Sequence, residues 1–260
     1  MSDLPENQRL AQGLETAADL LRSAQHAVVF TGAGISTPSG IPDFRSASTG
    51  MWERFDPMQV ASLEVFRSRP ERFYGWLRPL LQAIWGVQPN AAHQALAHME
   101  EAGVIKAVIT QNIDDLHQRA GSMQVYEVHG SLRTMTCAPC RETYPANQFQ
   151  EQLNDADQMP HCPRCQRILK PDITLFGEML PIKVWEEAEM HCKRADVILV
   201  AGSSLEVWPA ASLPELAVER GAKLIINNLS PTHLDSSAAV LLPLDVAQAI
   251  PKIAKFILQT

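Results

Sequence analysis

Five short runs of this chain are apolar almost throughout and rich in β-branched residues: 27–30, 104–109, 197–200, 224–226 and 240–242. A run with no polar alternation offers water neither face, so such strands suit a parallel sheet covered on both sides. Helical patterns lie between them. Leu10, Leu14, Ala17, Ala18 and Leu21 form one apolar stripe ahead of the first run. Residues 90–101 start at a capping Asn90 and stop before Gly103. Further helical stretches cover 184–194, 214–220 and 246 to the end. Helices alternating with buried strands predict a doubly wound α/β domain.

Two stretches break the rhythm. Residues 51–85 read as helical and aromatic-rich, with Trp52, Phe55, Phe66, Phe73, Tyr74, Trp76 and Trp85. Residues 133–170 are polar and lack a strong period. Both are expected to leave the sheet and form a second, smaller domain.

Ligands of open parallel sheets bind outside the carboxyl ends of the strands. Here those ends carry Thr31-Gly32-Ala33-Gly34, Thr110-Gln111-Asn112-Ile113-Asp114, His129-Gly130 (after a run at 125–128), Gly202-Ser203-Ser204 and Asn227-Asn228. Five ends rich in glycine and hydrogen-bonding groups predict a site for a large polar ligand. Gly32-Ala33-Gly34 is similar to the opening of a dinucleotide fingerprint, in which small residues admit a pyrophosphate. The same glycines also suit a plain strand-to-helix turn. Thr37 stands where the third glycine belongs, and no acid follows a second strand to hold a ribose, so a hydride-transfer domain is disfavoured.

Cys137, Cys140, Cys162 and Cys165 form two close pairs separated by 21 residues. In a reducing compartment such pairs read as a metal site, and four thiolates complete a tetrahedral zinc shell with no position left for catalysis. A nucleic-acid-binding ribbon is the alternative. Between Cys137 and Cys165, however, two basic residues face four acidic ones, and the whole chain of 260 residues carries net charge -7. That balance argues against nucleic acid and anionic membranes alike. No apolar run approaches the ~18 to 20 residues of a bilayer span, and the polar first residues carry no secretion pattern. A cytoplasmic location is expected. Cys192 reads as a small core residue, and His93, His98 and His191 as structural or surface groups. His129, at a strand end before Gly130, is either a base acting near neutral pH or a structural histidine. No serine or cysteine lies in a nucleophile motif.

Taken in order, Gly32-Ala33-Gly34-Ile35-Ser36, Gly40-Ile41-Pro42-Asp43-Phe44-Arg45, Thr110-Gln111-Asn112-Ile113-Asp114, His129-Gly130, the cysteine pairs, Phe176-Gly177-Glu178, Gly202-Ser203-Ser204-Leu205 and Asn228 resemble the sirtuin (Sir2) family of NAD-dependent protein deacylases. The resemblance runs from about Leu14 onward. It implies a Rossmann-like NAD-binding domain over 1–47, 86–132 and 171–260, with a helical module (48–85) and a zinc ribbon (133–170) inserted. NAD is consumed in such enzymes: the acyl group passes to ADP-ribose and nicotinamide is released.

The resemblance also implies roles. Gly32, Ala33, Gly34 and Ser36 would lie along the dinucleotide, with Arg45 supplying charge to the diphosphate. Gln111 and Asn112 would fix ribose hydroxyls or an ordered water, Asn112 taking part in catalysis. Ile113 and Asp114 would hold the nicotinamide amide, with Asp43 and Phe44 lining that pocket. His129 would be the general base. Gly202, Ser203, Ser204, Asn228, Leu229, Ser230 and Val246 would meet the adenosine half. Phe44, Ile113, His129, Ile173, Phe176, Gly177, Glu178, Leu205 and Val207 would meet the acyl-lysine peptide, which adds as a strand.

Relatives acting on acidic acyl groups share a Tyr-x-x-Arg motif. Here Tyr74 is followed by Leu77, and Arg78 comes one residue late, about 100° round a helix. Acetyl or longer apolar acyl groups are therefore expected. The same site also suits an NAD-dependent ADP-ribosyltransferase, and a binding module without turnover is the remaining alternative.

Overall fold

The computed structural model describes residues 5–43, 50–51 and 55–259. Its strands are β1 (Ala27–Thr31), β2 (Ile105–Thr110), β3 (Val125–Glu127), β4 (Gly130–Thr136), β5 (Thr143–Pro145), β6 (Lys170–Ile173), β7 (Val197–Ala201), β8 (Lys223–Asn227) and β9 (Val240–Leu242). The helices are α1 (Glu6–Ser23), α2 (Pro57–Val60), α3 (Leu63–Ser68), α4 (Pro70–Gly86), α5 (Ala91–Glu101), α6 (Leu116–Arg119), α7 (Gln150–Asn154), α8 (Ile182–Arg194), α9 (Ser212–Glu219) and α10 (Val246–Leu258).

The expected doubly wound sheet is present. Six strands run in the order β3-β2-β1-β7-β8-β9, every pair parallel. Alternate residues feed two cores. Val29, Val108 and Leu199 pack with α1, α5 and α10, while Val28, Phe30, Ile109 and Val200 pack with α8 and α9. Burial on both faces is what removed polar alternation from these runs. As expected, Asn90 caps α5, its side chain accepting from the Ala92 amide, and Gly103 follows the helix with φ +74°. Cys192 is fully buried in the α8–α9 core.

A second, antiparallel sheet, β5-β4-β6, joins α2, α3, α4 and α7 in a third core that includes Cys137 and Cys162. The strand order turns back between β1 and β7, the place in an open parallel sheet where a ligand crevice forms outside the carboxyl ends of the strands. Among the described residues no helix is long and apolar enough to cross a membrane.

Candidate active site

The crevice is lined on its sheet side by glycine. The Gly34 amide donates to the Gly202 carbonyl at 2.8 Å, closing the β1 loop on the β7 loop. A Cβ on Gly34 would stand 2.8 Å from that oxygen, and one on Gly202 (φ +61°) 2.3 Å from the Ile35 nitrogen. Only bare backbone fits. The Gly34 amide is thus already engaged within the protein.

The loop after β2 is held from several directions. The Gln111 amide donates to the Thr31 carbonyl at 3.0 Å, and the Gln111 side chain to Ser203 Oγ at 2.9 Å. Asn112 Nδ2 donates to the Gly32 carbonyl and to Ser36 Oγ, both at 3.1 Å. Ser36 in turn donates to Asp114 Oδ2 at 2.7 Å, while Asp114 Oδ1 accepts from the Leu116 amide at 3.1 Å. Burial raises the Asp114 carboxyl above its ordinary value, opposed by these two hydrogen bonds. Beneath the loop, Thr110 Oγ1 accepts from the Asn112 amide and from Thr31, which also meets His117 Nε2 at 3.0 Å.

His129 is half-buried, and its Nδ1 lies 3.0 Å from the Gln111 carbonyl. A carbonyl only accepts, so Nδ1 carries the hydrogen and the neutral ring keeps its lone pair on Nε2. Its neighbour Gly130 (φ +78°) leaves room for protein: a Cβ there would lie 2.1 Å from the Asp172 carbonyl on β6.

One cleft of about 830 Å³ joins these groups. Of the sequence-predicted residues, Gly32, Ala33, Gly34, Ser36, Asp43, Gln111, Asn112, Ile113, Asp114 and His129 line it, as do Ile173, Phe176, Gly177, Glu178, Gly202, Ser203, Ser204, Val207, Asn228 and Ser230. Three others are not on its wall. Leu205 is buried in the α8–α9 core, Val246 is packed in the α1–α5–α10 core, and the Leu229 side chain is exposed to solvent. Phe44 and Arg45 lie outside the described residues. Asn227 turns away, donating to the Leu242 and Leu244 carbonyls and tying β8 to the segment around β9.

The sequence reading missed an apolar wall. Trp76, Leu80 and Ile84, spaced by four residues along α4, line the cleft together with Ile41 and Ala61. Tyr74 and Leu77 are not on this wall. They are buried in the small module, where Tyr74 donates to the Leu169 carbonyl at 2.5 Å and Arg78 lies over its ring. The four-residue spacing was the available signal, obscured by a helix apolar on several sides. Among the described residues the cleft wall holds no lysine or arginine.

The loop after β6 forms a further wall of the cleft. Thr174 N donates to the His129 carbonyl, and Phe176 exchanges backbone hydrogen bonds with Ala61 and Leu63 at 3.0 Å. Glu178 Oε2 accepts from the Leu175 amide and pairs with Lys170, both at 2.9 Å.

Outside the cleft, the four cysteine sulfurs lie within 4.8 Å of one another, three of the separations being 3.4, 3.5 and 3.8 Å. A tetrahedron with metal–sulfur bonds of about 2.3 Å has edges of about 3.8 Å, so the set fits zinc. All four positions are sulfur, and none of the cysteines is on the cleft wall.

The fold and the crevice define a dinucleotide-binding α/β protein whose second, smaller core carries a four-cysteine cluster. Residues 32–209 match the family model described as "Sir2 family", and the chain belongs to that family. It is 44% identical over 243 residues to the NAD-dependent protein deacylase 2 of Archaeoglobus fulgidus, covering 93% of this chain and 95% of that one. A Sir2 structure with a deacetylated p53 peptide and 3'-O-acetyl ADP ribose superposes with a TM-score of 0.88 at 40% identity, covering 93% and 97% of the two chains. One of Sir2Af2 with a myristoylated histone peptide gives 0.82 at 38%, covering 96% and 98%.

Proposed function

We propose that this protein is an NAD-dependent protein-lysine deacylase acting on acetyl and other apolar acyl groups. NAD, when bound, would supply the ribose carbon that the acyl carbonyl oxygen attacks as the bond to nicotinamide breaks, the acyl group ending on ADP-ribose and the lysine amine being released. The glycine floor, Ser203, Ser204, Asn228 and Ser230 hold the dinucleotide along the strand ends. Ser36, Asn112 and Asp114, joined by hydrogen bonds, enclose the amide end. His129 takes a proton from a ribose hydroxyl at Nε2, the Gln111 carbonyl holding the required tautomer. Trp76, Leu80 and Ile84 receive the acyl chain and exclude water that would hydrolyse NAD unproductively. Among the described lining residues no lysine or arginine offers a counter-ion to a carboxylated acyl chain. The substrate backbone runs along 176–178 as an added strand.

The four cysteines hold a structural zinc. The large domain comprises 1–47, 86–132 and 171–260, and a cytoplasmic location suits five cysteines none of which is in a disulfide. The net charge of -7 disfavours nucleic acid and anionic membranes as partners.

The observation that carries this reading is the 3.0 Å bond placing His129 against the loop that bears Asn112, on one cleft wall. Incubation with NAD and an acetyl-lysine peptide tests it. Peptide-dependent nicotinamide release with deacetylated peptide is expected. Labelled ADP-ribose on protein would make the chain a transferase, and no nicotinamide would make it a binding module.

A further inference from the structure

A second groove of about 440 Å³ lies beside the cleft, lined by Met58, Ser62, Leu63, Glu64, Arg67 and Ser68 together with Phe176 and Gly177. The last two also line the cleft, so the two cavities share one wall. That wall is fixed in place, because Phe176 is hydrogen-bonded through its backbone to Ala61 and Leu63. At Gly177 (φ +86°) nothing lies within 4 Å of where a side chain would begin, which leaves room for a chain to pass over. Met58, 56% exposed, adds apolar surface to the groove. Glu64 and Arg67 border the groove with opposite charges, so neither sign is favoured in a ligand.

We propose that this groove is an outer subsite for the same polypeptide substrate, taking an uncharged apolar side chain several residues from the acyl-lysine. The inference rests on the deacylase reading, since the chain that crosses Gly177 is the one whose lysine enters the cleft. An extended chain advances about 3.3 to 3.6 Å per residue, so the position must be found by scanning.

The test compares a short acetyl-lysine peptide, two residues on each side, with peptides extended by eight alanines in which one leucine is moved stepwise. In the unaltered protein, leucine at one position should lower KM about five-fold relative to the all-alanine peptide, with kcat unchanged. Met58→Glu should remove that gain, and Met58→Leu should keep it. Each ratio is taken within one variant, so a general loss of activity does not obscure it. No gain at any position, or the full gain persisting in Met58→Glu, would overturn the subsite. Failure of the short peptide to be deacetylated by the unaltered protein would instead overturn the deacylase reading.

Discussion

At the scale of single residues, the site depends on which atoms are already engaged. With Nδ1 bound to the Gln111 carbonyl, a proton can be accepted only at Nε2 of a neutral His129. His129→Ala is expected to lose deacylation by 100-fold or more, roughly the value of a positioned base, while NAD affinity measured by calorimetry stays within about three-fold. Near-normal turnover would remove His129 from the mechanism. Gly130 has a different task. An alanine there would drive its Cβ into the Asp172 carbonyl, so Gly130→Ala should destabilise the protein by about 2 to 4 kcal/mol in urea unfolding. A glycine beside a histidine is legible in sequence as close approach, but not as approach by β6 specifically. Asn227 teaches the same lesson: a polar residue at a strand end was visible, and its commitment to the chain around β9 was not.

Among the elements, β1, β7 and β8 were the most legible, because both faces are buried and the runs are apolar to within a residue of their ends, whereas β3 is half-buried and ends on Glu127 and β9 exposes Leu241. The second sheet was not legible. In β4 a mixed pattern of burial leaves no clean alternation, and its partners β5 and β6 are short. The lining face of α4 was equally obscured, since Phe73, Tyr74 and Leu77 are buried on its other sides. Lys170 ties the end of β6 to Glu178 across the loop that would receive peptide. Lys170→Met should raise KM for peptide about three- to ten-fold and leave KM for NAD unchanged in steady-state assays. Equal rises in both would show that the pair does not act on the peptide loop alone. Tyr74→Phe should cost about 1 to 2 kcal/mol by leaving the Leu169 carbonyl without its donor. Acyl preference should not change, because Tyr74 does not line the cleft.

For the molecule as a whole, metal and protonation set stability separately from catalysis. Cys137→Ser should lower zinc content and thermal midpoint together, and a metal-free variant of unchanged midpoint would refute a structural zinc. His93 is fully buried, and burial pushes it from 6.5 down to about 4. Between those values the unfolded chain binds more protons, so this contribution, on the order of 3 kcal/mol, is lost as pH falls from 6.5 towards 4. His93→Gln should flatten the fall in thermal midpoint over that window, and parallel curves would assign the acid lability elsewhere. The most direct measurement is a crystal structure with an unreactive NAD analogue and an acyl-lysine peptide. It should show His129 Nε2 within about 3 Å of a ribose hydroxyl, the nicotinamide amide against Asp114, and the acyl chain along Trp76, Leu80 and Ile84. A ribose out of reach of His129, or an analogue bound away from the glycine floor, would contradict the account.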